Sequence, residues 1–378
     1  MPPSVRILHL IETLKLGGTE KALYTVLSAM DKHKRFESMV CCLFEDGPIA
    51  SRLEQLKIPV YNLHMKSPYD WRKGVFRLAE IIKENKIDIV HTHLFYANVY
   101  GRIAGCLSGV KTIITTLHNP DYTYEDNGRF SFKARKLIDK YTGRMFNRRF
   151  IAVSQSVKDD YQKHMGLKDI DVLYNSIDFK ELKINPSLDI QAERKAMGLE
   201  KEDFVLLNIG RLHNQKGQIY LLEAMKILTK ENARFKLLIV GAGPLRQRLS
   251  DEIAKNGLTK NVFLLGERED IVKLFQLSDV FVFPSIYEAF GVVAAEAMAM
   301  EKIVVVSDID GLREVVGPAG VYVKCRDSRG IADSVRKIFN RPADYNEMKK
   351  EAGRRALDLF SVENNVGKLE KVYLECSG

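Results

Sequence analysis

Short apolar runs alternate with amphipathic, helix-like segments in both halves of the chain, and this alternation constrains the fold most. In the first half, the apolar run Val5–Ile11 is followed by a glycine-containing loop and a helical pattern over residues 20–30. Strands that alternate with helices form parallel sheets with crossover helices. The other strands predicted in this half are Ser38–Phe44, Ile87–Thr92, Lys111–Leu117 and Phe150–Val153.

A polar stretch over residues 175–203 interrupts this pattern, which then restarts. Because 378 residues exceed the ~100 to 200 of an ordinary domain, we predict two doubly wound α/β domains, residues 1–180 and 181–360. Open α/β sheets bind ligands outside the carboxyl ends of their strands, so the domains are expected to face an interdomain cleft. The strands predicted in the second domain are Phe204–Ile209, Phe235–Val240, Val262–Leu265, Val280–Phe283 and Ile303–Val306.

Charge and cysteine content narrow the possible functions. The formal net charge is +9, and residues 1–180 carry 28 Lys and Arg against 20 Asp and Glu, so this half can face nucleic acid, acidic lipid or a phosphorylated substrate. The longest run without a charged side chain covers residues 89–101, which is too short for a membrane span, and no export signal is visible. Five cysteines without a C-x-x-C pair suit a reduced, cytoplasmic compartment and indicate no structural metal.

The loop after the first strand contains Gly17-Gly18-Thr19-Glu20 and opens directly into a helix. Paired glycines let the backbone approach a ligand closely, and a helix N-terminus offers free N–H groups to phosphate. An ordinary turn with Thr19 as the N-cap explains the same residues equally well. This loop alone therefore leaves phosphate binding and a structural turn open.

A second strand and loop, Asn208–Gly217, carries two cations. Arg211 and Lys216 lie five residues apart, bracketed by Gly210 and Gly217. Arginine can bind a pyrophosphate through its guanidinium fork, and lysine can bind it as a point charge. A solvated loop commonly carries one cation, so two cations between glycines favour phosphate binding.

The segment Phe283–Ala299 has the densest pattern of candidate residues. Glu288 precedes a predicted helix start near Gly291, and Glu296 lies inside that helix among small and apolar residues, where exposure explains it poorly. Two carboxylates on either side of a helix N-terminus suit a ligand with hydroxyls at both ends and phosphate between them. A capping Glu followed by an exposed helical Glu is the alternative. The free N–H groups expected to hold the anion belong to Ala289, Phe290, Gly291 and Val292.

Three histidines lie at or near predicted strand ends. His118 follows the strand Lys111–Leu117 and can donate to a sugar hydroxyl or to developing charge, although a lone histidine is more often structural. His91 and His93 alternate along one strand and share a face, as a metal pair would. No third ligand is suggested nearby, so we expect no zinc site.

Three literal motifs carry little weight. The D-x-D matches at residues 169–171 and 308–310 are too short to indicate a metal, and we expect turn residues there. Gly241–Arg246 starts like a dinucleotide fingerprint but has arginine in place of the third glycine. A nicotinamide cofactor is therefore not expected.

The segment from Arg129 to Arg149 carries eight Lys or Arg and one acid, Asp139. As a helix it places an apolar stripe beside basic side chains. That arrangement fits an anionic membrane surface and equally a helix packed on its own sheet. The stripe comprises Ala134, Leu137, Ile138, Tyr141 and Met145, flanked by Lys133, Lys136, Lys140 and Arg144.

In this order along the chain, the motifs resemble those of the retaining glycosyltransferases of family four (glycosyl transferases group 1), which have the GT-B fold. The resemblance extends from the first glycine loop to the final helix. The departure from the family pattern is Ser176, where glycine is common. The stretches that carry the resemblance are Gly17–Glu20, Val153–Ser156, Tyr174–Asp178, Asn208–Gly217, Val240–Pro244 and Pro284–Gly291 with its E-x7-E pair.

The resemblance implies an α/β GT-B fold of two Rossmann-like domains, with the second domain binding the nucleotide sugar and a terminal helix at about residues 361–378 crossing back onto the first. It also implies that no metal is required. Arg211 and Lys216 would hold the donor diphosphate, Glu288 the sugar hydroxyls and Glu296 the ribose. The other residues that the resemblance places at the donor are His118 on the transferred sugar, Gly17 and Gly18 over the phosphates, Gly210, and the turn formed by Ala289, Phe290, Gly291 and Val292.

We therefore expect a hexosyltransferase-type enzyme that moves a sugar from a UDP- or GDP-linked donor to a glycan or lipid-linked acceptor in cell-envelope polysaccharide or glycoconjugate biosynthesis. No cofactor is expected, and the enzyme is expected in the cytoplasm, with peripheral contact at the inner face of the membrane through residues 129–149. A sugar-nucleotide epimerase or hydrolase on the same fold is the nearest alternative. A basic nucleic-acid-binding protein is more distant, because no nucleic-acid module is recognisable.

Overall fold

The computed structural model describes residues 4–30, 35–119 and 130–377. The chain forms two compact units, each with its own sheet. Unit 1 comprises Met1–Ile177 and Ser361–Gly378, and unit 2 comprises Asp178–Phe360. The predicted boundaries fall after residues 180 and 360.

Unit 1 is built on a seven-stranded parallel sheet. Its strands are β1 (Val5–Thr13), β2 (Phe36–Glu45), β3 (Val60–Asn62), β4 (Ile89–His93), β5 (Thr112–Leu117), β6 (Arg149–Ala152) and β7 (Ile170–Val172). They pair in the order β3-β2-β1-β4-β5-β6-β7. The helices are α1 (Gly18–Met30), α2 (Pro48–Gln55), α3 (Trp71–Glu84), α4 (Phe95–Leu107), α5 (Phe130–Phe146) and α6 (Gln155–Met165), with a short 3-10 helix at Pro68–Asp70.

Alternation along β1 sends its side chains to two different cores. Ile7 and Ile11 pack with α1 and α2 on one face, and Leu8 and Leu10 pack with α3 and α4 on the other. His9 lies between Leu8 and Leu10, so it shares the face of Ile7 and Ile11. A polar residue in this strand is therefore directed into a helix-covered layer.

Unit 2 is built on a six-stranded parallel sheet. Its strands are β8 (Phe204–Ile209), β9 (Phe235–Val240), β10 (Val262–Gly266), β11 (Val280–Phe283), β12 (Ile303–Ser307) and β13 (Val321–Val323), in the order β10-β9-β8-β11-β12-β13. The helices are α7 (Ile190–Ala196), α8 (Gln218–Glu231), α9 (Arg246–Lys255), α10 (Ile271–Leu277), α11 (Val292–Ala299), α12 (Asp310–Val316), α13 (Ser328–Asn340) and α14 (Asn346–Phe360), with 3-10 helices at Asn214–Lys216 and Pro342–Tyr345.

The prediction of parallel α/β units is confirmed, and every predicted strand is present. The strands that the sequence did not predict are β3, β7 and β13. Each has three residues and lies at a sheet edge. Three residues are too few to display an alternating or a continuous apolar pattern.

The last helical segment of the chain is divided at Ser361. α14 ends at Phe360 in unit 2, and α15 (Val362–Ser377) belongs to unit 1. Ser361 forms a β-bridge with Ile177, and the Val362 N–H donates to the Ile177 carbonyl at 3.0 Å. α15 then buries Val362, Val366, Leu369 and Tyr373 against the face of β1 that carries Ile7.

Candidate active site

The cation loop, residues 210–217 between β8 and α8, is tied to the loop that follows β11. Gly217, with φ of +67°, ends the 3-10 helix Asn214–Lys216 and starts α8. A Cβ on Gly217 would lie 2.1 Å from the Pro284 carbonyl oxygen, so a larger residue cannot occupy this position without displacing the backbone. Gln215 Nε2 donates to the Tyr287 carbonyl at 3.0 Å. These contacts fix the two loops against each other.

Lys216 and Glu288 form an ion pair at this junction. Lys216 Nζ is 2.5 Å from Glu288 Oε1, and the two side chains are 15% and 8% exposed. The ammonium also lies 5.0 Å from the ring centroid of Phe283, a cation–π contact. The lysine stem runs past Gly210, where a Cβ would be 3.6 Å from it. The fold thus brings a predicted phosphate-binding cation and a predicted sugar-binding carboxylate into direct contact.

Arg211 presents its side chain to solvent from the same loop. Its carbonyl accepts a hydrogen bond from Gln218 Nε2 at 2.9 Å, whereas its guanidinium is exposed. Gln218 is buried at the start of α8, so the arginine backbone is anchored while its charged group is accessible. An anion at this loop can therefore reach Arg211 without the desolvation of a buried guanidinium.

The predicted helix start near Gly291 is confirmed. Gly291 adopts φ of +82° immediately before α11. Glu296 is buried within that helix, at 5% exposure, so the alternative of an exposed helical Glu is wrong. Glu288 pairs with Lys216, and no side-chain cap is found at α11. The turn into α11 consists of Ala289, Phe290 and Gly291, and Val292 is the first residue of the helix.

The glycines at residues 241 and 243 shape the cation loop. A Cβ on Gly241 would lie 2.2 Å from the Gly210 carbonyl oxygen, and one on Gly243 would lie 2.5 Å from the Leu212 carbonyl oxygen. The Leu212 N–H donates to the Ala242 carbonyl at 2.8 Å. The segment that imitates a dinucleotide fingerprint therefore packs directly on the backbone of the cation loop.

The first glycine loop places an acidic side chain at the start of α1. The helix begins at Gly18, so the alternative with Thr19 as N-cap is wrong. Thr13 Oγ1 donates to Glu20 Oε1 at 3.0 Å, and a Cβ on Gly17 would lie 2.2 Å from Glu20 Oε2. Gly17 therefore leaves room for a carboxylate of the chain itself, whereas the space beside Gly18 is open.

His118 contacts a histidine of the neighbouring strand. Its Nε2 lies 3.0 Å from His93 Nδ1, and burial lowers the pKa of His118 to about 3. The expectation that His91 and His93 lack a third ligand is wrong. His9, opposite His91 in the β1–β4 register, faces the same side, and one ligand nitrogen from each of these three buried histidines lies within 4.8 Å of the other two. The sequence concealed this because β1 and β4 are far apart in the chain.

The D-x-D matches provide partners for arginine. Asp171 lies within β7 and not in a turn, which corrects the prediction, and it is 2.6 Å from Arg149 Nε. Asp308 precedes α12 and accepts from Arg313 Nη2 at 2.7 Å. Arg313 holds the pKa of Asp308 below its ordinary value. Both carboxylates thus compensate guanidinium groups.

The basic segment forms α5 from residue 130 onward, and Arg129 lies outside the described residues. Asp139 faces inward and pairs with Arg102 of α4 at 2.5 Å, with Arg102 fully buried. Because this pair sets the buried face, the alternative in which the whole apolar stripe packs on its own sheet is wrong. The exposed members of the stripe are Leu137, Ile138, Tyr141 and Met145. Among the described helices, none combines the length and apolarity needed to span a bilayer.

Several side chains that position the predicted residues were missed by the sequence analysis. Gln215 and Gln218 flank the Lys-Gly step but look like ordinary polar residues at a helix start. Tyr373, 2.6 Å from His91 Nδ1 through its hydroxyl, lies in an amphipathic helix where an aromatic residue is expected. Among these residues, His9 alone gave a local signal, because it interrupts an apolar run from Ile7 to Ile11.

Comparison with known proteins covers both units. The family model described as Glycosyltransferase Family 4 matches residues 16–181, and the one described as Glycosyl transferases group 1 matches residues 189–355. Together these matches cover most of unit 1 and most of unit 2.

Individual relatives match along most of their own length. UDP-Gal:alpha-D-GlcNAc-diphosphoundecaprenol alpha-1,3-galactosyltransferase of Escherichia coli is 26% identical over 98% of this chain and 97% of its own. N,N'-diacetylbacillosaminyl-diphospho-undecaprenol alpha-1,3-N-acetylgalactosaminyltransferase of Campylobacter jejuni is 27% identical over 80% of this chain and 81% of its own. The crystal structure of Anabaena HepE in complex with UDP and glucose has a TM-score of 0.87 and 23% identity, covering 98% of this chain and 100% of that one. With both units matched by family models and both sheets parallel, this chain belongs to the glycosyltransferases of family 4 and has the GT-B fold.

Proposed function

We propose that this glycosyltransferase moves a hexose from a UDP-linked donor to a lipid-linked acceptor, with retention of anomeric configuration and without a metal ion at the donor diphosphate. The observation that carries the proposal is the Lys216–Glu288 pair. In this pair, an anion-binding ammonium contacts a hydroxyl-binding carboxylate at the point where the cation loop packs on the loop that follows β11. A nucleotide sugar needs both groups at its anomeric phosphate.

The cations of unit 2 supply the charge that a metal would otherwise provide. As the bond from the anomeric carbon to the diphosphate oxygen breaks, negative charge grows on the leaving group. Lys216, the exposed Arg211 and the N-terminus of α11 can stabilise that charge. Glu288 then accepts hydrogen bonds from the sugar hydroxyls, and Glu296 accepts them from the ribose.

Retention is assigned to attack on the face from which the diphosphate leaves. The acceptor oxygen bonds to the oxocarbenium-like anomeric carbon, and its proton passes to an oxygen of the departing diphosphate. No side chain forms a bond to the sugar in this scheme. A covalent sugar adduct on Glu288, or on any other residue, would contradict it.

Unit 1 contributes neutral groups. His118, whose pKa burial lowers to about 3, contacts the transferred sugar as an uncharged imidazole, and Gly17 with Gly18 approaches the phosphates. Glu20 already provides a carboxylate beside Gly17. This favours the backbone near the open side of Gly18 as the part that meets the donor.

The donor and acceptor classes are proposed from relatives. The name of the E. coli relative specifies UDP-Gal and a diphosphoundecaprenol-linked sugar, and the name of the C. jejuni relative specifies another diphospho-undecaprenol-linked sugar. We extend this chemistry to the present chain as a UDP-sugar donor and a polyprenyl-diphosphate-linked acceptor, with a GDP-sugar as the alternative donor.

An enzyme with a lipid-linked acceptor has to contact a membrane surface. We assign this contact to the exposed apolar and basic side chains of α5. Tyr141 and Met145 are 60% and 71% exposed. The basic side chains beside them are Lys133, Lys136 and Lys140. Arg144 donates to the carbonyls at the end of α6, and Lys136 Nζ lies 3.5 Å from His164 Nδ1. The attraction to anionic lipid is assigned to the charges of the three lysines. This arrangement supports peripheral binding at the cytoplasmic face.

The donor is tested first by thermal shift with UDP, GDP and ADP, because a ligand that binds only the folded state raises its stability by mass action. Transfer is then followed with the matching sugar nucleotide and a polyprenyl-diphosphate-linked sugar, and NMR of the product reports anomeric configuration. Turnover of donor without acceptor would favour the epimerase or hydrolase alternative. Addition of Mg²⁺ after EDTA treatment is expected to leave the rate unchanged, and an absolute requirement for Mg²⁺ would contradict the cation argument.

Membrane contact is tested by sedimentation with phosphatidylglycerol-containing vesicles. Replacing Lys133, Lys136 and Lys140 by Gln is expected to weaken partitioning by about a hundredfold, since each surface cation contributes about 1 kcal/mol. The matched control replaces three exposed lysines of unit 2, Lys195, Lys226 and Lys230, by Gln. Equal partitioning of the two triple variants would reject α5 as the contact.

A further inference from the structure

Four of the eight histidines form one cluster inside unit 1. His9 lies on β1, His91 and His93 lie on β4, and His118 follows β5. The ring centroids are 5.2 Å apart for His9 and His91, 4.4 Å for His91 and His93, and 5.3 Å for His93 and His118. All four rings line a cavity of about 50 Å³, which has room for an ion and a bound water.

The cluster contains nitrogens that the protein leaves without a partner. Both ring nitrogens of His9, and Nε2 of His93, are buried and make no hydrogen bond among the described residues. Buried polar groups are usually hydrogen-bonded, and an exception needs an explanation. Here the two histidines that carry the unpaired nitrogens line the same cavity.

The hydrogen bonds around the cluster are those of an outer coordination shell. If His93 Nδ1–H donates to His118 Nε2, at 3.0 Å, the lone pair of His93 Nε2 is free. If His91 Nδ1–H donates to the Tyr373 hydroxyl, at 2.6 Å, the lone pair of His91 Nε2 accepts from the Thr116 hydroxyl, at 2.7 Å, and an ion would replace that hydrogen bond. Metal-binding histidines commonly donate their second N–H to such a partner, which fixes tautomer and orientation.

We propose that His9, His91 and His93 bind one divalent transition-metal ion of the zinc class, with a water completing the coordination. Imidazole is a preferred ligand of such ions. All three histidines are buried, and neutral imidazole is the form that binds metal. Zinc–nitrogen bonds of ~2.0–2.1 Å require the nitrogens, now within 4.8 Å, to draw together by side-chain rotation.

The proposed ion has a consequence for the sugar-binding histidine, and this step rests on the proposed function. An ion on His93 Nε2 holds the proton of that ring on Nδ1. His118 Nε2 must then accept, so the proton of neutral His118 lies on Nδ1 and can be donated to a sugar hydroxyl. The ion would thus set a tautomer in unit 1, and the charge on the donor diphosphate would still be stabilised without a metal.

The test uses the full chain without a polyhistidine tag, because a tag binds the same metals. After treatment with EDTA and desalting, the protein is titrated with Co²⁺ while its visible d–d absorption is recorded, and Zn²⁺ is then added. We expect one Co²⁺ per chain, displaced by Zn²⁺, and one Zn²⁺ per chain by elemental analysis. Wild-type protein that binds neither ion would overturn the proposal.

Variants locate the site. His9→Gln is expected to abolish stoichiometric Co²⁺ binding, whereas His64→Gln, which changes an exposed histidine of the same unit, is expected to preserve it. Binding to His9→Gln as tight as to wild type would also overturn the proposal. Circular dichroism verifies folding. Should His9→Gln not fold, Tyr373→Phe decides, because loss of an outer partner is expected to weaken the affinity by about tenfold or more, and unchanged affinity would reject the site.

These readouts do not measure transfer. A chain that transfers sugar but binds no Co²⁺ retains the proposed function and loses the metal site, and a chain that binds Co²⁺ without transferring sugar shows the reverse. Mg²⁺ dependence reports on the donor diphosphate, whereas Co²⁺ and Zn²⁺ report on the imidazoles, which are poor ligands for Mg²⁺.

Discussion

Near the carboxyl ends of their strands, the two sheets present opposite chemistry. Unit 1 gathers imidazoles that burial keeps uncharged, with the pKa of His9 lowered to about 3 and those of His91 and His93 well below their ordinary value. Unit 2 gathers full charges, with Lys216 paired to Glu288 at 2.5 Å. The difference arises from position. The histidines lie on strands beneath helices, where a lone charge is costly, whereas the charged pair lies on two loops.

This contrast indicates a division of labour in the transfer reaction. A leaving diphosphate needs positive charge, which neutral imidazoles do not provide and which Lys216 and Arg211 do. A sugar hydroxyl needs a directed hydrogen bond, for which an uncharged ring such as His118 is suited. We therefore expect unit 1 and unit 2 to respond differently to pH and to mutation.

Acidification gives the largest expected effect, and it falls on unit 1. In the unfolded chain the four histidines of the cluster gain protons near pH 6.5, but in the folded protein His9, His91, His93 and His118 stay neutral. Stability is thus complete above pH 6.5 and is lost as pH falls through that value. Each group contributes about 1.4 kcal/mol per pH unit, so the four together should cost the EDTA-treated protein about 5 kcal/mol per unit below pH 6. Burial raises the pKa of Glu12, and this group therefore offsets a small part of the stability that is lost on acidification.

Trp71, the single tryptophan, lies in unit 1 and reports urea unfolding of that unit between pH 7 and pH 5. Hydrogen exchange of strands β8 and β9 supplies the control, because Lys302 of unit 2, with its pKa lowered to about 8 by burial, alters stability only between about pH 8 and 10.5. If the free energy of unfolding changed equally with pH in the two units, the proposed difference between neutral histidines in unit 1 and charged groups in unit 2 would be rejected.

Breaking the buried ion pair of unit 1 is the next largest effect. Arg102 is fully buried with its Nη1 at 2.5 Å from Asp139 Oδ1. Arg102→Met removes the guanidinium that pairs with this buried carboxylate, and we expect a loss of about 3 to 5 kcal/mol in the free energy of unfolding, measured by urea with Trp71 fluorescence. The double variant Arg102→Met with Asp139→Leu should recover most of the loss, because paired apolar replacements are often neutral. A double variant as unstable as the single one would show that packing, not charge, is responsible.

Removing the cation of unit 2 affects catalysis. Lys216→Met is expected to lower kcat/KM by about 10² to 10³, the effect of losing one group that stabilises transition-state charge. Lys226→Met, an exposed lysine of α8, is the matched control and should retain wild-type activity. Steady-state kinetics with the donor identified by thermal shift provide the measurement. A Lys216→Met enzyme with the activity of the control would end the assignment of this lysine to the diphosphate.

The sequence was sufficient to predict features that depend on residues adjacent in the chain, such as strand bounds and the burial of a side chain. β8 was predicted with its observed bounds, Phe204–Ile209, because Asp203 and Gly210 delimit its apolar run. The burial of Glu296 followed from the small and apolar residues around it. These inferences need no knowledge of the partner strands.

Pairings across the sheet could not be predicted in this way. Contact between Lys216 and Glu288 depends on β8 lying beside β11, and the histidine cluster depends on β1 lying beside β4. The rotation of α5 depends on Arg102, which draws Asp139 inward from another helix. A helical pattern that counts Asp139 only as one acid among eight cations has no access to that partner.

The smallest effect is expected at an exposed ion pair of unit 2, which sharpens the comparison with Arg102. Arg336 bridges Glu231 at 2.7 Å and Asp333 at 2.5 Å, but its side chain is 32% exposed. Water already solvates these charges, so Arg336→Gln should change the free energy of unfolding by less than about 1 kcal/mol. Hydrogen exchange of α8 and α13, which carry the three residues, measures this locally. Added salt should reduce the difference further, because exposed pairs are screened. A loss as large as that of Arg102→Met would mean that the geometry of an ion pair, and not its burial, determines its contribution in this fold.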